Sequence, residues 1–332
     1  MASAPGVLHI ACMMRRVISR LLAGLAVVAG VVALTFFLLH LAPGDPARHL
    51  AGPNASAAQL AELRRGLGLD RPIVVQFLRW VGQAAQGDWG TSIATGRPVG
   101  AMLGEAWPAT ATLVSVSLVL SYLLGVLIGL AQVRLPRWAD GAVTLGSTAL
   151  FAMPGYWLGI LLMWLLVYRW RLLPAFGMSG LDAEFLSPMS QLADRLRHLA
   201  LPLITLTLLG AGGAARFVRG ALVDVRSAAF VTAARARGLH GRAIDRRYLL
   251  RNAMVPVITL LGLSLPALFS GAVFVEAVFA WPGVGRVLVE AVQARDYPVV
   301  MAAATVSAIL VVTGNILADL GLAWSDPRMR NA

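Results

Sequence analysis

Apolar residues in this chain do not alternate with polar ones; they gather in six long blocks separated by polar stretches. The first block, Val17 to Leu41, is apolar almost throughout, and its length suffices to cross a hydrocarbon core about 30 Å thick. Such a run is too long for a cleaved signal peptide. Arg15 and Arg16 precede it and Arg20 lies at its start, which predicts that residues 1–16 form a cytoplasmic N-terminus. Pro43-Gly44-Asp45-Pro46 then turns the chain on the far side. Residues 42–107 are polar overall, but Leu60 to Leu69 and Ile73 to Trp80 keep an apolar periodicity. The pattern predicts two short amphipathic helices lying on the outer membrane surface.

The other five blocks predict a helical core over residues 108–322. Pro108 opens the second span, to about Val133, as a proline at a first helical turn can. Gly125 and Gly129 give that span a face low enough for a neighbouring helix to approach closely. The third span runs from about Ala142 to Tyr168, interrupted by Pro154-Gly155, where a bend is expected. The fourth, about Leu199 to Val218, contains Gly210-Ala211-Gly212-Gly213-Ala214-Ala215, in which no side chain exceeds a methyl group. The fifth runs from about Val255 to Phe279, with Pro266 and Gly271 inside it, and the sixth from about Val299 to Leu322. Residues 323–332 form a polar tail. The expectation is an all-α membrane protein of six transmembrane helices with both termini cytoplasmic.

Charge supports that orientation. Under this threading the cytoplasmic segments carry sixteen arginines against four acids, and the outer segments twelve against ten. Hydrophobic residues make up 58% of the 332 and charged residues 13%, with mean hydropathy +0.74, far below the roughly 25% charge of soluble domains. The net charge of +12 comes from arginines scattered between apolar spans rather than gathered on a soluble domain; it fits a membrane and not nucleic acid. All 28 basic residues are arginine. Without a lysine the chain cannot build a phosphate-binding P-loop, so any ATP hydrolysis driving it must occur on another polypeptide.

The densest charge lies in a cytoplasmic loop over residues 219–254. With Arg216 just before it, this stretch has nine arginines and two acids, Asp224 and Asp245. At its centre stands Thr232-Ala233-Ala234-Arg235-Ala236-Arg237-Gly238-Leu239. Alanine and arginine favour helix, small side chains leave one side low, and Gly238 supplies a stop. The residues alone admit two readings: a basic loop that only fixes topology, or a docking helix for a separate cytoplasmic subunit.

The candidate chemistry elsewhere is sparse. Glu276 and Asp319 are the intramembrane acids, costly in hydrocarbon unless they serve a function or reach a membrane face. Their depths differ, so they do not form a catalytic dyad. The five histidines show no paired metal spacing, no cofactor or metal site is indicated, and Cys12 stands alone, excluding an intrachain disulfide. Pro154, Pro266, Gly212 and Gly213, with Glu276, are candidates for path lining or gating, plain helix packing being the alternative. Three function classes follow: a conduit driven by a partner ATPase, an ion-coupled secondary carrier, and an intramembrane enzyme. The last lacks any catalytic constellation.

Several landmarks, in order, resemble one family. They are PGDP after the first span, LGLDRPIVVQFLRW and GDWGTS in the outer loop, AWPATATL at the second span, and LPAFG after the third. AARARGL, RNAMVPVIT, VEAVFAWPGVGRVLVEAVQARDYPVV and a terminal DPRMR complete the set. From about Val17 to Arg330 the chain resembles permease subunits of the peptide/nickel ABC importers, in particular the dipeptide and oligopeptide permease B subunits. The resemblance implies a type I ABC importer permease fold in the bacterial inner membrane. It also implies a second homologous permease, two cytoplasmic ATPase subunits and a periplasmic solute-binding protein as partners. It further implies that residues 232–239 hold an EAA-type coupling motif. Ala233, Ala234 and Gly238 match its pattern, Thr232 stands where the motif has glutamate, and Arg235, Arg237 and Leu239 complete the segment.

Overall fold

The computed structural model describes residues 5–325 apart from 42–46, 48–50, 53–54, 67, 240, 245–247, 249–263 and 265–267. Side chains are described from residue 18 to residue 316, except that of Arg242. Among the described residues the structure is helical, with a single bridge between Thr91 and Pro98. The helices are α1 (Pro5–Leu41), α2 (Ala57–Gly66), α3 (Ile73–Ala85), α4 (Val99–Gln132), α5 (Arg137–Ala152) and α6 (Gly155–Met163). They continue with α7 (Pro188–Ser227), α8 (Ala229–Ala236), α9 (Gly241–Ile244), α10 (Leu268–Val278), α11 (Val284–Gln293) and α12 (Tyr297–Ser325).

By length and composition four of these can cross a membrane, over Ile18–Leu41, Val99–Gln132, Pro188–Ser227 and Tyr297–Ile316. The pair α5 and α6 forms a fifth if taken as one broken span. Of the expected fifth span, only α10 and Ser264 are described, and Pro266 lies outside the described residues. Leucines 21, 22, 25, 34 and 41 of α1 stand more than half exposed. An apolar helix this open needs lipid or another chain around it.

The chain divides into two compact units. The first comprises residues 1–110 and 282–312. Its core joins Val99, Leu103 and Ala106 of α4 to Val284 and Ala291 of α11 and to Val299, Val300, Ala302 and Ala303 of α12. A second cluster sets Val32 and Phe36 of α1 against Met301, with Phe77 of α3 packed on it. The Phe36 and Phe77 rings meet edge-on at 5.2 Å, which seats the amphipathic α3 on α1. The apolar periodicity was legible as helix here, but α3 runs on to Ala85 and α2 begins earlier, at Ala57.

That core also explains why α4 starts at Val99, well before Pro108. Val99, Leu103 and Ala106 fall on one helical face and are buried. Their burial extends the helix N-terminal to the proline, which now lies inside it. The loop before α4 is held by a buried acid: Asp296, 2% exposed, accepts from the Ser92 hydroxyl at 2.5 Å and from the Ile93 and Ala94 N–H groups at 3.1 and 3.2 Å. Ser92 Oγ in turn accepts from the Thr95 N–H at 3.0 Å.

The second unit comprises residues 111–281 and 313–332. Its centre is α7, 40 residues long and so about 60 Å from end to end, twice the thickness of the hydrocarbon core. Its apolar middle has Asp194, Arg195 and Arg197 on one side and Arg216, Arg219, Asp224 and Arg226 on the other. The helix therefore projects from the membrane at both ends. Where a kinked third span was expected, the chain instead breaks. Met153 and Pro154 both adopt extended backbone (ψ 132°), and α5 and α6 diverge by 106°. The steric conflict between Pro154 and its predecessor drives Met153 out of the helical region. Glycine 155 then begins a new helix, which ends in a wide turn over Trp164–Arg169.

Candidate functional site

Helix α8 follows α7 through one extended residue, Ala228 (φ −67°, ψ 144°), whose N–H bonds to Val225 O at 3.1 Å. It packs against α7 and α9. Only Val231 and Ala234, three residues apart and thus on one face, are buried, at 0% and 3% exposure. Thr232, Ala233, Arg235, Ala236 and Arg237 are exposed, as is Phe230. The segment carrying the motif thus presents two alanines, a threonine and two guanidinium groups outwards, while Val231 and Ala234 are buried and the Phe230 ring lies 6.3 Å from that of Tyr248.

Its end is built as a helix stop. Gly238 sits at φ +81°; its N–H donates to Arg235 O at 2.9 Å and the Leu239 N–H donates to Ala234 O at 3.3 Å. These two bonds close a Schellman motif with glycine at the left-handed position. A Cβ on Gly238 would meet nothing within 4 Å, so the glycine is needed for backbone conformation and not for space.

A second cluster, which the sequence did not single out, lies just before α8. Arg219 of α7 grips Asp140 in the first turn of α5 with both prongs: Nε donates to Oδ1 at 2.6 Å and Nη2 donates to Oδ2. Gln132, buried at the end of α4, donates to Asp140 Oδ1 at 3.3 Å and to Thr144 Oγ1 at 3.1 Å. Arg226 donates to Val133 O at 2.8 Å. A carboxylate at a helix N-terminus and a guanidinium at carbonyls past a helix C-terminus both suit the helix dipoles. Asp140 and Arg219 stand 79 positions apart. The excess of arginine was visible in the sequence, but which arginine would meet which acid was not.

Of the path candidates, Gly212 and Gly213 lie in helix contacts. A Cβ on Gly212 would come 2.7 Å from Ser147 O and one on Gly213 2.9 Å from the Phe151 ring, so α7 and α5 approach backbone to backbone there. The same holds against α4: a Cβ on Gly125 would lie 2.5 Å from that of Ala214, and one on Gly129 2.7 Å from Val218. Pro154 is exposed at the α5–α6 break. Glu276 on α10 is completely buried, so it does not reach water at a membrane face within this chain. Gly159 of α6 lies against the Phe279 ring, three positions beyond Glu276. The motif residues lie together on α8 and its stop, while Gly155, next to Pro154, lies against Leu209 of α7. Among the described residues no group of three His, Cys, Asp or Glu side chains could hold a metal ion.

Long apolar helices with outward-facing leucines, and a charged stub beyond the longest of them, define a polytopic all-α membrane protein. Residues 121–331 match the family described as the binding-protein-dependent transport system inner membrane component, and residues 13–114 match the N-terminal domain of such membrane components. The chain belongs to this family of ABC importer permeases. It is 41% identical over 318 residues to the probable D,D-dipeptide transport system permease protein DdpB of Escherichia coli, covering 91% of this chain and 94% of that one. It is 35% identical over 315 residues to the oligopeptide transport system permease protein AppB of Bacillus subtilis, covering 94% and 98%. With the glutathione transport system permease protein GsiC of Salmonella paratyphi A it shares 38% over 320 residues, covering 96% and 99%. The chain is accordingly a permease component of the inner membrane.

Proposed function

We propose that the chain forms one half of the translocation path of an ATP-driven importer for peptides or a related small solute, and that α8 is where a cytoplasmic ATPase docks. The chain itself performs no chemistry; ATP is hydrolysed on two separate subunits. A second homologous permease completes the path, and a periplasmic binding protein delivers the solute. In this reading the chain crosses the membrane six times with both termini cytoplasmic. ATP binding elsewhere then biases a two-state gate, with Pro154 and Glu276 as candidates for its moving parts.

One observation carries the reading: α8 exposes a low, alanine-rich, cationic face while burying Val231 and Ala234 on the opposite one. A neighbouring surface can approach that face closely, and an acidic groove on it would complement Arg235 and Arg237. The family membership supports a binding-protein-dependent importer. The names of the relatives, which concern a D,D-dipeptide, oligopeptides and glutathione, support a peptide-like cargo.

The test is co-purification of the ATPase with the chain from detergent. Ala233→Trp and Arg237→Glu, both on the exposed face, are expected to release the ATPase while leaving the melting temperature of the permease unchanged. If both variants retain it, the docking assignment is wrong. Mass spectrometry of the ligand carried by the associated binding protein identifies the cargo; a ligand with no peptide-like bond would refute that part.

A further inference from the structure

The cluster formed by Arg219, Asp140, Gln132 and Arg226 does more than the packing above it requires. From Gly210 to Val218, α7 is already held to α4 and α5 by contacts with no room for an added methyl group. Arg219 lies one position past the last of these, and the remaining turns of α7 lead directly to α8. Because α8 joins the bundle through this stub, with Val231 and Ala234 as its buried side chains among the described residues, a push on it would bend the stub before it moved the bundle. The two arginines of the stub prevent that by gripping different elements. Arg219 takes Asp140 at the start of α5, and Arg226 takes the chain just past α4 at Val133.

We propose that the Arg219–Asp140 pair is the link through which movement of α8 is passed to α4 and α5, with Arg219 as a positioning residue for transport. This rests on α8 being the docking element. The physical case is the geometry of the pair. A two-pronged guanidinium–carboxylate contact fixes direction as well as distance. Its side chains are only 33% and 20% exposed, so water competes less than at a surface pair. Gln132, itself 2% exposed, donates to the same Oδ1 that Arg219 Nε contacts and to Thr144 Oγ1 one turn on, which ties the end of α4 to α5. The stub, the α4 end and the α5 start thereby form one stiff corner.

The test uses the assembled complex in lipid nanodiscs, with Cys12 replaced by serine and spin labels on cysteines placed at Ala142 and Ala229, both exposed. With the pair intact, adding ATP and vanadate is expected to leave the 142–229 distance unchanged, because α8 and α5 move together. In Arg219→Ala the distance shifts and broadens under ATP and vanadate while the ATPase stays bound. The stimulation of ATP hydrolysis by the loaded binding protein then falls about fivefold or more. Asp140→Asn, which keeps the shape of the side chain, is expected to do the same. The link is overturned if both variants keep the wild-type distance through the cycle with the ATPase attached. A wild-type complex in which α8 touches no ATPase instead overturns the docking assignment beneath it.

Discussion

Two glycine positions of the second unit show opposite uses of the same residue. At Gly212 the missing side chain is a matter of space: a Cβ would strike the Ser147 carbonyl oxygen of the neighbouring helix. At Gly238 the surroundings are open and the constraint is conformational, a backbone at φ +81° that ends α8. The region around Gly212 is tightly closed: α5 fills the approach to Gly212 and Gly213, and α4 that to Gly210 and Ala214. Around Gly238 a Cβ would meet nothing within 4 Å among the described residues, and the alanines and arginines beside it are exposed. The docking role proposed for α8 would need both: a bundle tight enough to move as a body, and an exposed element free to be grasped.

Filling the closed region should do the greatest damage. Gly212→Leu is expected to abolish monodisperse yield in detergent, since backbone oxygen cannot give way and overpacking alone costs about 3 kcal/mol; size-exclusion profiles and melting curves read this. A variant that folds normally would show the helix contact to be looser than its geometry.

The loop before α4 offers a second closed region of a polar kind. Asp296→Ala strands the Ser92 hydroxyl and the Ile93 and Ala94 N–H groups. The expected loss is about 3 kcal/mol of local stability, read as accelerated proteolysis between residues 88 and 98. Asp296→Asn, which keeps one acceptor oxygen, should fall between.

In the open region effects should be smaller and local. Gly238→Ala forces a Cβ into the left-handed region and should cost about 1 kcal/mol. It should speed hydrogen exchange of amides 234–239 with no change in global melting temperature. Smallest of all is Thr232→Glu, which restores the acid in the motif's name. Thr232 is exposed, so unchanged stability and unchanged ATPase retention are expected; loss of the ATPase would mean that the groove requires a neutral residue there.

How much of this was legible beforehand depends on the range of the interaction. The apolar blocks gave the α1 and α12 spans, the amphipathic α3 and the stop at Gly238, because each depends on residues within a few turns. Pro108 reads locally as a first turn, but α4 starts at Val99 because Val99 and Leu103 pack against α11 and α12. The Pro154 break is deeper than a kink because two successive residues leave the helical region. Glu276, placed near a membrane end by counting, is buried, and counting does not show what surrounds a helix.

Hydropathy and arginine placement by themselves determined that this chain lies in a membrane, that it cannot hydrolyse ATP through a P-loop, and that one short alanine- and arginine-rich helix ends at Gly238. Those are properties of composition and local conformation. Tertiary structure alone decided that the glycine run of α7 serves contact with two helices, that Asp296 closes the loop before α4, and that Arg219 meets Asp140. Each joins residues tens to hundreds of positions apart, and such pairings follow from which helix faces can approach, which no local pattern specifies.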